Sequence, residues 1–211
     1  MIVPQVKICG ITSVFDANLA INSGADFLGF IFYPKSKRYI SYDDYQPILE
    51  DIRDKVKTVA VVVDPSNDAI DEINKYKFNY IQLHGSETVE RVNEIKDKSN
   101  SQIIKAFGIE TAEDLNQTNS YQKISDFFLF DYKPRSDEMP GGNAKHFDWS
   151  VIDKSQMNKK FFLSGGLTVE NIENAINSEI TNFFDVSSGV ESNPGVKDTE
   201  KLKKFINLIK Q

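Results

Sequence analysis

Eight short apolar runs, each followed by a longer amphipathic or polar stretch, repeat from one end of this chain to the other. The runs are Val6–Ile11, Phe27–Phe32, Thr58–Val63, Tyr80–Leu83, Ile103–Phe107, Phe127–Asp131, Phe161–Leu163 and Phe183–Val186. They are rich in Val, Ile and Phe, which suit a pleated, half-buried surface, and Gly, Pro, Asp or Asn bounds them. The stretches between them carry helix signals. Ser66-Asn67-Asp68 opens Ala69–Tyr76, with Ile70, Ile73 and Tyr76 on one face. Thr168-Val169-Glu170 opens the next-to-last helix, striped by Ile172, Ala175 and Ile176. Asp198-Thr199 opens the last, striped by Leu202, Phe205, Ile206 and Ile209. Strict alternation of strand and helix implies a parallel sheet. Eight such units in 211 residues, with no linker and no long crossover, favour closure over an open sheet. The expected fold is α/β, a single (β/α)8 TIM barrel forming one domain over residues 1–211.

Composition excludes several functions. The net charge is −6 and no basic run offsets it, so neither nucleic acid nor an anionic membrane is an expected partner. Lys201, Lys203, Lys204 and Lys210 alternate with Leu and Ile, as on the solvated face of a helix. One cysteine excludes an intramolecular disulfide and a multi-cysteine zinc site. Met1–Lys7 has no basic stretch leading into an apolar one, so no signal peptide is visible. Apolar runs such as Val59–Val63 fall far below the ~20 residues of a membrane span. A cytoplasmic protein is expected.

In a barrel the active site lies at the C-terminal ends of the strands. That rule selects Cys9, His84, Asp131, Gly165-Gly166 and Ser187-Ser188-Gly189, with Arg38 in the loop after the second strand. Residues two apart share a face of a strand, so Cys9 goes with Lys7, His84 with Gln82, Asp131 with Leu129 and Asp185 with Ser187. Several inward polar groups at one mouth describe a polar pocket. The glycine-rich loops after strands seven and eight suit a phosphate, held by backbone N–H groups and by a helix starting near Thr168. Each loop alone is equally compatible with a tight turn that needs glycine. The acid–base candidates also have plain alternatives. Cys9 could be a small buried hydrophobe, Asp131 a turn cap or a partner of Lys133, His84 a satisfied turn residue, and Arg38 a solvated loop charge. The longest irregular segment, Lys133 to His146, holds Pro134, Pro140, Gly141 and Gly142 and reads as a mobile functional loop.

Taken together, the strand-end strings resemble the phosphoribosylanthranilate isomerase family. Val6-Lys7-Ile8-Cys9-Gly10-Ile11-Thr12 is similar to its opening motif. So are Tyr80-Ile81-Gln82-Leu83-His84-Gly85, Leu163-Ser164-Gly165-Gly166-Leu167 and Asp185-Val186-Ser187-Ser188-Gly189-Val190-Glu191, and a fifth runs from Gly142 through Phe147-Asp148-Trp149. The resemblance spans nearly the whole chain. It implies the Amadori rearrangement of N-(5-phosphoribosyl)anthranilate to the 1-deoxyribulose 5-phosphate derivative, a step of tryptophan biosynthesis, without a cofactor. It implies Cys9 as catalytic base and Asp131 as catalytic acid. Arg38, Gln82, His84 and Asp185 are implied for substrate binding, and Gly165, Gly166, Ser187, Ser188 and Gly189 for the phosphate. The expected partner is the phosphorylated small molecule, bound by a monomer or a homodimer.

Two departures stand out. The family's Gly-Gly-Thr-Gly is Gly141-Gly142-Asn143-Ala144 here, and its Ser-Pro-Arg is Ser36-Lys37-Arg38, which is expected to loosen the backbone before the arginine. The competing readings are the histidine-pathway isomerase, which has a carboxylate where Cys9 stands, a metal-dependent ribulose-phosphate epimerase, and a sugar-phosphate binder without turnover.

Overall fold

The computed structural model describes residues 3–133 and 147–211. Eight parallel strands close on themselves in chain order: β1 (Gln5–Cys9), β2 (Phe27–Ile31), β3 (Lys57–Val62), β4 (Tyr80–Leu83), β5 (Gln102–Ile109), β6 (Phe127–Tyr132), β7 (Phe161–Leu163) and β8 (Phe183–Val186). The closing seam is β1 against β8, with Lys7 opposite Asp185. The expected barrel forms, with small differences at strand ends: Ile11 lies beyond β1, and β5 runs on to Ile109.

Around the barrel stand α1 (Val14–Ser23), α2 (Tyr42–Ile52), α3 (Asn67–Lys75), α4 (Val89–Lys98), α5 (Ile172–Asn177) and α6 (Thr199–Lys210). Hydroxyl or carboxylate caps on Ser13, Ser41, Ser66, Thr88 and Asp198 accept from free N–H groups of the first turn and start five of them.

Strict alternation does not hold beyond β5. There the chain forms a 3-10 segment, Ala112–Tyr121, in place of an α-helix. Its Asn116, Asn119 and Ser120 have modest helix propensity, and the Thr118 hydroxyl donates to the Leu115 carbonyl at 2.7 Å. Between β6 and β7 the described residues give two single 3-10 turns, Trp149–Val151 and Lys154–Gln156. Asp148 and Asp153 each accept from a backbone N–H two residues on, closing the chain locally instead of propagating a helix. The helix after β7 also starts later than expected, at Ile172. The Asn171 amide accepts from Thr168 N and donates to Gly166 O, so Gly166–Asn171 is a closed turn. Of the expected mobile loop only Lys133 is described; Pro134, Pro140, Gly141, Gly142, Asn143, Ala144 and His146 lie outside the described residues.

Alternation along the strands sorts the core into two layers. Outward residues such as Ile8, Leu28, Ala60, Ile81 and Phe130 pack under the helices. Inward residues fill the barrel with Phe27, Val59, Val61, Tyr80, Ile104, Ala106, Leu129 and Phe162. The floor is aromatic: Phe162 meets Phe27, Phe127 and Phe183 at ring separations of 5.2, 5.5 and 5.4 Å. Nearer the strand ends the inward positions turn polar, as Lys7, Gln82, Asp131, Asp185 and Ser164. Burial of this kind makes a direct prediction. Phe162→Ala should lower unfolding free energy by about 3–5 kcal/mol in urea titration. The exposed Phe15→Ala should stay within about 0.5 kcal/mol.

Candidate active site

Cys9 ends β1 and faces into the barrel, 6% exposed. Its niche exists because β2 carries Gly29 opposite it. A Cβ at that position would stand 2.8 Å from the Cys9 sulfur and 3.2 Å from Lys7 Cε. Lys7 is wholly buried and its ammonium meets Asp185 Oδ1 at 2.9 Å. Ser164 Oγ lies 3.4 Å from the other oxygen of Asp185. Burial pushes the Cys9 thiol above its ordinary value, against the downward pull of Lys7. Burial would lower Lys7, but Asp185 and Cys9 hold its ammonium above the ordinary range. Cys9 is thus a buried small residue, as the plain alternative has it, and also a thiol beside a fixed cation.

Asp131 stands near the end of β6, with Oδ1 accepting from Tyr132 N at 2.7 Å and Oδ2 3.4 Å from His84 Nε2. The suggested pairing with Lys133 is not formed; Lys133 meets Asp114 at 2.6 Å. His84 Nδ1 is 2.8 Å from the Gln82 amide nitrogen, which puts the imidazole proton on Nε2, toward Asp131. Gln82 Oε1 is buried without a hydrogen-bond partner. Turning the amide over would present a bare Nε2 to Asp131 instead, the arrangement that suits a protonated carboxyl. Amide, imidazole and carboxyl thus stand in one row that ends at Asp131. His84 and Asp131 line a cleft of about 590 Å³ together with Lys105, Tyr121 and Lys133. A larger cavity of about 1110 Å³ opens at the other end of the barrel, among Lys57, Thr58, Lys77 and Asn79, away from every candidate residue.

Arg38 is not a solvated loop charge; it is 9% exposed. Its Nε reaches Glu191 at 2.9 and 3.1 Å and its Nη2 at 2.8 Å, so that Glu191 grips one edge of the guanidinium. The expected loosening before it does not occur. Ser36 Oγ accepts from Arg38 N at 3.1 Å, and two turn hydrogen bonds, Ser36 N to Tyr33 O and Tyr39 N to Ser36 O, fix the loop.

The two glycine loops are in contact. Gly165 and Gly166 have φ of 76° and 72°, in the left-handed region. A Cβ on Gly189 would lie 1.9 Å from the Leu167 carbonyl oxygen, so the loop after β8 rests on the loop after β7. Gly165 in turn sits against Asp131 Oδ1 and Tyr132 N. Ser187 Oγ donates to the Cys9 carbonyl at 3.0 Å, and Ser188 begins a 3-10 turn, Ser188–Val190. The helix dipole expected at Thr168 is absent there, because α5 begins at Ile172 and has six residues.

Sequence reasoning missed Lys197. This buried lysine donates to the Cys9 carbonyl at 2.6 Å and to Glu191 Oε1 at 2.8 Å. The Pro194-Gly195 turn before it was the available signal, since it marks a hairpin that folds Lys197 back onto Glu191. Among the described residues no group of three or more His, Cys, Asp or Glu is arranged to hold a metal ion, and no helix is long and apolar enough to cross a membrane.

Comparison with known proteins is consistent with this geometry. A family model described as N-(5'phosphoribosyl)anthranilate (PRA) isomerase matches residues 6–208. The N-(5'-phosphoribosyl)anthranilate isomerase of Rhizobium etli (strain CIAT 652) is 43% identical over 208 residues, covering 98% of this chain and 94% of that protein. The crystal structure of phosphoribosyl anthranilate isomerase from Thermotoga maritima superposes with a TM-score of 0.87 at 38% identity, covering 98% of each chain. A phosphoribosyl anthranilate isomerase in complex with reduced 1-(o-carboxyphenylamino)-1-deoxyribulose 5-phosphate gives 0.85 at 37% identity, again covering 98% of each chain. On its sequence, its barrel and these relatives, the chain belongs to the phosphoribosylanthranilate isomerase family.

Proposed function

We propose that Cys9 and Asp131 are the base and acid by which this phosphoribosylanthranilate isomerase carries out its step of tryptophan biosynthesis. The observation that carries the assignment is that both groups end inward-facing positions at the same rim of one barrel, Asp131 with an imidazole beside it and Cys9 with an ammonium. The substrate is a ribosylamine, so its furanose ring opens when the ring oxygen gains a proton and the nitrogen lone pair forms the iminium. Asp131 delivers that proton and regains one when the 2-hydroxyl later gives its proton up, while His84, aligned by Gln82, holds the carboxyl in place. The iminium acidifies C2–H, and Cys9 removes that proton as thiolate. The resulting enolamine becomes the amino ketone when C1 gains a proton and the 2-hydroxyl loses one. Cys9 must already have lost its proton to solvent, and the Lys7 ammonium favours that loss against the burial that opposes it.

Arg38 holds the anthranilate carboxylate on the guanidinium edge left free by Glu191. The phosphate lies between Gly165-Gly166 and Ser187-Ser188-Gly189, on backbone N–H groups that no side chain covers. A relative bound to a reduced 5-phosphate product analogue supports a phosphate subsite here. Asp185 orients the site through Lys7 and Ser164, and needs no direct contact with substrate.

Three measurements test this. Cys9→Ala and Asp131→Asn should each lower kcat by about 10²–10⁴-fold, followed by loss of substrate fluorescence. Either variant turning over at near wild-type rate sinks its assignment. The base must be deprotonated and its pKa is raised, so kcat/KM should climb with pH into the alkaline range. The titrating limb should lie above the ordinary thiol value of about 8.5. A limb at or below that value would count against a buried thiol. Gly166→Val should raise KM sharply, Ser188→Ala should cost about 1 kcal/mol, and inorganic phosphate should compete with substrate. A sulfate bound elsewhere in a crystal, with the two loops empty, would refute the phosphate site.

A further inference from the structure

Two buried charges have no part in the chemistry above. Glu191 and Lys197 face each other across a short hairpin after β8, made of β9 (Glu191–Asn193) and β10 (Val196–Lys197). The Thr12 hydroxyl donates to the Gly195 carbonyl at 2.6 Å and ties the hairpin tip to the loop after β1. Glu191 accepts three hydrogen bonds from the Nε and Nη2 groups of Arg38. Lys197 donates to Glu191 at 2.8 Å, to the Cys9 carbonyl at 2.6 Å and to the Ser187 carbonyl at 3.4 Å. One carboxylate and one ammonium therefore join the arginine, the thiol's main chain and the loop after β8.

Stability alone does not call for this arrangement. Taking opposite charges out of water costs much of what their attraction returns, and apolar replacements of such pairs are often neutral or better. Arginine, by contrast, has many rotamers to lose on binding a ligand. An arginine already clamped along one edge meets a carboxylate with the other edge in place. We propose that Glu191, braced by Lys197, is a positioning residue that presents the free edge of Arg38 to the substrate carboxylate while Lys197 fixes the main chain at Cys9. The role rests on the assignments of Arg38 and Cys9 made above.

The test reads KM, because a fold-only defect reduces the active fraction and hence kcat but leaves KM alone. Glu191→Gln should raise KM about tenfold or more with a smaller fall in kcat, since a charged hydrogen-bond partner is lost. Lys197→Met should raise KM as well. In an Arg38→Met background Glu191→Gln should add nothing to KM. Should Glu191→Gln fail to fold, Glu191→Asp keeps the charge, shortens the arm and is read against the same controls. A folded Glu191 variant with wild-type KM, beside a raised KM in Arg38→Met, overturns the proposal alone. A KM rise that persists undiminished in the Arg38→Met background overturns it too. An Arg38→Met enzyme with unchanged KM removes the Arg38 assignment and this proposal with it.

Discussion

The seam between β1 and β8 is the constraint on which everything else rests. A parallel sheet becomes a barrel only when its first and last strands pair, and here the register sets Lys7 beside Asp185. Their side chains form a buried ion pair at that seam. A slip of one residue would place Lys7 beside Phe184 or Val186 and leave an ammonium in an apolar interior. Such an unpaired buried charge costs about 3–5 kcal/mol, so the pair specifies the register more than it adds net stability. The same seam brings the end of β1 against the end of β8. Cys9 therefore stands near Ser187, and the loop that follows rests on the loop after β7.

The barrel divides its labour along its axis. The aromatic floor at the strand starts closes the barrel interior, and the strand ends are left polar. Polar groups there remain tolerable because almost every one has a partner: Lys7 with Asp185, His84 with Gln82 and Asp131, Arg38 with Glu191. Gln82 Oε1 is an exception, on the amide whose nitrogen meets His84.

Much of this was legible in the sequence. The apolar runs located all eight strands, because a barrel strand is buried on both faces and reads as a short hydrophobic stretch bounded by turn residues. The strand-end rule then picked out Cys9, His84, Asp131 and the glycine loops. What escaped was set by side chains acting on local backbone. Asn171 closes the turn that delays α5 to Ile172, and Asp148 and Asp153 stop their segments at single turns. Neither event leaves a periodic trace. Arg38 looked like one of several loop cations with Lys35 and Lys37, because nothing in the order of residues shows that Glu191, so distant in the chain, folds back over it. Lys197 escaped although the Pro194-Gly195 turn marks its hairpin, because the turn does not show that the hairpin closes over the Cys9 carbonyl.

The niche over Gly29 has a further consequence, in redox terms. The thiolate is the form that attacks peroxides and disulfides, and burial disfavours that form of Cys9 while barrel atoms shield its sulfur. A cysteine placed this way is sluggish toward oxidants in the resting protein. The wall that makes the thiol reluctant to ionise therefore also preserves it.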